Sequence, residues 1–122
     1  MKQLYIFLAL LLTLQAGAQL TRFEKSGAQE TATYFEAVDW YTKMDAASPL
    51  VSVKTMGMTD AGYPLHLVMI SNDGKHDPQQ WHSNKKVVIL INNGIHPGEP
   101  DGIDASMLLV REMVQGRYKL PS

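Results

Sequence analysis

Apolar residues change their spacing several times along this chain, and each change marks an element. Tyr34, Val38 and Tyr41 recur at helical intervals, with Phe35 and Met44 beside them, and predict a helix over about residues 34–46. Thr33 and Glu36 stand three apart at its start, the arrangement in which two residues satisfy each other's free backbone donors. Ser48-Pro49 closes it, because the residue before a proline avoids the helical region. Core packing is the reading for these aromatics, ahead of a ligand-stacking face. Residues 50–58 then carry β-branched Val51, Val53 and Thr55, and residues 63–70 return mostly apolar. Asp60-Ala61-Gly62 supplies a turn between them, so the two strands are expected to form an antiparallel hairpin with His66 as an ordinary strand residue.

A polar loop over 71–86 follows, with His76 and His82 read as surface histidines. Val87–Ile91 is then apolar throughout and β-branched at four of five positions, which predicts a strand buried on both faces. Asn92-Asn93-Gly94 stops it with residues that tolerate turns. Past a short loop, Pro100 suits a first helical residue, and a helix is expected over about 100–115. Ile103, Met107, Val110 and Val114 fall near one face, and Leu108, Leu109 and Met113 widen it, so this helix should lie against the sheet. Glu99, Asp101 and Asp104 gather at its amino end and Arg111 and Arg117 toward the other, as the helix dipole favours. Gly116 fits the residue just past its end. The fold class is therefore α/β, part of a mixed β-sheet of about three strands (50–58, 63–70 and 87–91) with two helices.

The amino terminus has a different pattern. Lys2, an apolar run from Leu4 to Leu14 broken only by Thr13, and the small-x-small site Ala16-Gly17-Ala18 make residues 1–18 a secretory signal peptide. Its apolar run is too short to span a bilayer comfortably, so no stable membrane anchor is expected. Residues 19–30 read as an extended leader. With no cysteine in the chain, neither a disulfide framework nor a lipid-modified cysteine is available. The signal's removal takes Lys2 alone from eleven basic residues against twelve acidic ones. No basic stripe remains for phosphates to meet, which excludes a nucleic-acid partner. The protein is expected to be exported, to the periplasm or the medium.

Candidate chemistry sits between the third expected strand and the last helix. His96 and Glu99 are three apart on a loop at the carboxyl end of a central strand, where open α/β sheets place their sites. The spacing is common enough by chance to carry little alone. A turn histidine with a helix-start glutamate stands beside the alternative of two metal ligands. Pro97-Gly98 rules out a helical i, i+3 pair, so the two side chains would meet through a turned loop. Zinc accepts imidazole nitrogen and carboxylate oxygen, and a hydrolytic site takes three such ligands and a water. No convincing third ligand is present.

These residues resemble a known family. Gly94-Ile95-His96-Pro97-Gly98-Glu99, entering a helix from an apolar strand, is similar to the first zinc-ligand motif of the zinc carboxypeptidases. Tyr34-Phe35-Glu36, Ser48-Pro49-Leu50-Val51, Gly57-Met58-Thr59 and Gly62-Tyr63-Pro64-Leu65 resemble that family's amino-terminal third in order and spacing, over about residues 31–116. The resemblance implies an exported metallocarboxypeptidase that removes carboxy-terminal residues from peptide or protein substrates. His96 and Glu99 would be two of the three ligands of one Zn2+, Glu99 through both oxygens. Gly98 stands where the digestive members carry arginine, and the His-Pro-Gly-Glu form looks more like divergent bacterial and cytosolic branches.

The family's third ligand, its substrate-carboxylate arginine, its tyrosine and its catalytic glutamate all lie downstream of this motif. Residues 31–122 are thus expected to be the amino-terminal portion of a catalytic domain. Within them no catalytic residue is assigned, and alone they should be inert and bind zinc weakly. Two alternatives remain. Zinc amidohydrolases of the desuccinylase and aspartoacylase kind present a similar loop and act on N-acyl amino acids. An exported binding module without chemistry would instead be a compact, cooperatively folding monomer.

Overall fold

The computed structural model describes residues 19–118, and the signal-peptide reading of residues 1–18 lies outside them. In chain order the elements are α1 (Arg22–Lys25), α2 (Tyr34–Ala47), β1 (Val51–Met58), β2 (Pro64–Ile70), α3 (Pro78–Ser83) and α4 (Asp101–Val114). Among these residues no helix is long and apolar enough to cross a membrane.

Local chemistry explains most boundaries. Thr33 caps α2 through the expected reciprocal box: its hydroxyl accepts from the Glu36 N–H, and its own N–H donates to the Glu36 carboxylate at 2.9 Å. At the other end of α4, Gly116 turns left-handed at φ +71°. Its N–H donates to the Met113 carbonyl and that of Arg117 to Glu112, which satisfies two carbonyls the helix leaves free. Pro100 is the flanking residue of α4 and not its first, because its carbonyl already accepts from the Ile103 and Asp104 N–H groups.

β1 and β2 pair antiparallel with Val51 opposite Ile70, Val53 opposite Val68 and Thr55 opposite His66. The register slips between Thr55 and Gly57, leaving Met56 as the extra residue of a bulge. Thr59 closes the hairpin with backbone and hydroxyl bonds to Tyr63. One sheet face packs on α2, which also touches α4. The resulting core is a single cluster of Ala32, Trp40, Met44, Val51, Met107 and Val110, flanked by Tyr41, Val68, Ile70, Ile103 and Val114. Met44 and Met107 are fully buried at 0% and 1% exposure. Each such side chain contributes roughly 1.5–3 kcal/mol by leaving water. Tyr41 lies half within this core, and burial pushes its phenol up to about 12.

Four expectations need correction. The sheet has two strands among the described residues, not three. Val87–Ile91 runs without a ladder partner, and its five side chains are 57–88% exposed. A strand exists only where another strand meets its N–H and C=O groups, and apolar content cannot supply that neighbour. Second, residues 19–30 are not simply extended. Thr21 caps the short helix α1 with a capping box of its own, and Thr21 is 1% exposed. Third, the polar stretch 71–86 contains α3, started by Asp77, whose carboxylate accepts from the Gln79 and Gln80 N–H groups, with Pro78 at the first position. Fourth, Tyr34 and Phe35 do not enter the core. They overhang the hairpin turn and cluster with Tyr63, at ring separations of 5.3 and 5.4 Å, while the Tyr34 hydroxyl donates to the Pro64 carbonyl. Trp40 fills the core position instead.

Candidate metal centre

The loop that carries His96 and Glu99 is a tight turn whose backbone needs glycine twice. Gly94 and Gly98 adopt φ +67° and +79°, a region that side-chain-bearing residues avoid. At Gly94 a Cβ would also come within 2.8 Å of the Ile103 side chain, so the loop lies close on the first turns of α4. Asn93 adds a tether, its amide donating to the Ser106 hydroxyl at 2.5 Å.

That turn brings His96 and Glu99 to one place. Both line a shallow, open depression of ≈ 220 Å³, together with Thr31, Gly94, Gly98, Pro100 and Ile103. Both are exposed, so water or an ion reaches them freely. Glu99 stands just ahead of α4, whose unpaired N–H groups favour a carboxylate there. Asp101 is exposed beside it, whereas Asp104 is buried at 6% and turned to a structural task. Its carboxylate accepts the Ala32 N–H at 3.5 Å and so ties the segment before α2 to the first turn of α4. Thr31 reaches the rim of the depression through that tie.

As a donor set, imidazole and carboxylate suit zinc, and His96 and Glu99 both line the same depression. The set is incomplete. Among the described residues no group of three or more His, Cys, Asp or Glu side chains gathers around one point. His66 is committed to the hairpin, with its ring nitrogen 3.2 Å from the Thr55 hydroxyl. The ring of His76 lies 3.1 Å from the Leu50 carbonyl, and His82 is exposed in α3. None of the three joins His96.

Two long-range contacts had no signal in the sequence. Arg111, expected only to complement the α4 dipole, is buried at 8% and forms a bidentate pair with Glu24, at 2.6 and 2.5 Å. The Arg111 guanidinium is the main cause that holds the Glu24 carboxyl down to about 2. Partners 87 residues apart leave no local pattern to read. Asp104 likewise looked like a dipole acid, and nothing in its spacing points to Ala32.

No curated protein and no solved structure matches the chain. The zinc carboxypeptidase family model matches residues 37–119, a span that includes most of α2 and all of the hairpin, α3, the His96–Glu99 loop and α4. With more than half its length matched, the chain belongs to the zinc carboxypeptidase family.

Proposed function

We propose that the chain is the amino-terminal part of an exported zinc metallocarboxypeptidase, and that His96 and Glu99 are two of the three ligands of its metal. The observation that supports this reading is that His96 and Glu99, on either side of the turn at Gly98, line one open depression within the matched span. Zinc, when bound, lowers the pKa of a bound water toward neutrality and polarises the scissile carbonyl. His96 would offer an imidazole nitrogen to the metal, and Glu99 a carboxylate oxygen from just ahead of α4. The Asp104–Ala32 bond keeps the rim in register with that helix end.

The rest of the site belongs to residues beyond these 122. Two features of the fold support this. β2 has no second strand beside it among the described residues, and Val87–Ile91 exposes its apolar side chains with no partner. Such a segment is an unmet demand for neighbouring strands. A third ligand and a proton-accepting carboxylate would come with them, and residues 19–122 alone would have no peptidase turnover.

The test is the product of the complete reading frame, purified after export and supplied with peptides. Stepwise loss of carboxy-terminal residues, abolished by a chelator and cut more than ~100-fold by His96→Ala or Glu99→Gln, is the expected result. Turnover indifferent to both substitutions would remove these residues from the site. Cleavage of N-acyl amino acids in place of peptides would favour the amidohydrolase reading.

A further inference from the structure

His96 and Glu99 hang from different supports. Glu99 stands just ahead of α4 and is carried by its first turn. His96 follows Val87–Ile91, which has no ladder partner among the described residues. The separation of the two side chains therefore depends on what joins the end of that segment to α4. Asn93 makes the join, its Nδ2 donating to the Ser106 hydroxyl at 2.5 Å across 13 residues of chain. Gly94, at φ +67°, then turns the chain close against the Ile103 side chain on its way to His96.

The Asn93 side chain also rests on Gly102. A Cβ at Gly102 would press into the Asn93 carboxamide, 2.7 Å from its Cγ and 3.2 Å from its Cβ. Gly102 lies in the first turn of α4 and does not have a positive φ, so the backbone does not call for glycine there. Glycine in a helix is less stable than alanine, and a close approach is the other reason to find one. What approaches here is Asn93. Because the obstacle is the end of a short, movable side chain, Gly102→Ala would push Asn93 aside and leave α4 formed.

We propose, resting on the reading of His96 and Glu99 as zinc ligands, that Asn93 is their positioning residue and that Gly102 is the gap it needs. Asn93 fixes where the loop leaves the apolar segment relative to α4. Imidazole and carboxylate then reach their common depression already arranged, which reduces the freedom lost when a metal binds.

The experiment uses the product of the complete reading frame, stripped of metal and then titrated with zinc against a chromophoric chelator. Asn93→Ala and Gly102→Ala should each weaken zinc binding at least ~10-fold, as loss of a group that orients ligands does. The double variant should be no weaker than Asn93→Ala alone, since one contact serves both. In the metal-free protein, backbone order parameters for residues 94–99 should fall from ~0.85 to below ~0.6 in Asn93→Ala. Unchanged affinity or unchanged order in Asn93→Ala would overturn the positioning role. Additive losses in the double variant would overturn the role of Gly102. His96→Ala is the control: zinc affinity indifferent to it would overturn the ligand reading, and the positioning role with it.

Discussion

Two apolar regions of this molecule meet opposite fates. Met44, Val51 and Met107 are 0–2% exposed in one cluster, whereas Val87–Ile91, at least as hydrophobic, stays 57–88% exposed. The difference is not composition. Met44 and Val51 sit on elements that follow one another, since α2 leads into β1 and β1 returns as β2 through one turn. Met107 joins them because α4 packs on α2. Asp45 of α2 also accepts the Val53 N–H at 2.9 Å, which occupies part of the outer edge of β1. Val87–Ile91 has no such neighbour among the described residues. Hydrophobicity therefore states a need for burial, and topology decides whether the need is met.

Substitutions can break this comparison. Met44→Ala should destabilise the chain by about 2–5 kcal/mol, since it empties a site with no exposure to relax into, and chemical denaturation would read it. A loss under ~1 kcal/mol would mean the core is not where it is described. Acid should act next. Arg111 first, and then the Thr21 N–H and hydroxyl, hold the Glu24 carboxyl down to about 2 from an ordinary 4.5, so these contacts together stabilise the fold fully above pH 4.5. That contribution, on the order of 2–3 kcal/mol, fades as the pH falls toward 2, and Glu24→Gln should flatten this part of a stability–pH curve. Thr33→Ala removes the cap of α2 and should cost about 1 kcal/mol in the same assay. Leu90→Ser sharpens the contrast from the other side. At 81% exposure it should change stability by less than ~0.5 kcal/mol while reducing light scattering.

Much of this was legible in the sequence because it is local. The Thr33–Glu36 box, the hairpin around Asp60-Ala61-Gly62 and the Met107–Val110 face of α4 follow from spacings of two to four residues. The turned loop at His96–Glu99 was legible too, because Pro97-Gly98 allows little else. α3 was also within reach, since Asp77-Pro78 is a helix start that the polar loop reading passed over. The Glu24–Arg111 pair and the Asp104–Ala32 bond were not, because each joins segments 72 or more residues apart. Nor was the fate of Tyr34 and Phe35. Their periodicity belongs to α2, but the hairpin turn beneath that end is itself solvent-exposed, so the rings pack on each other at the surface.

The central claim is that His96 and Glu99 form part of a zinc site that these residues alone do not complete. Calorimetric titration of zinc into residues 19–122, beside the His96→Ala/Glu99→Gln double variant, tests it most directly. Weak binding is expected in the parent chain, and its disappearance in the variant. A tight one-to-one complex, or binding that survives both substitutions, would contradict it.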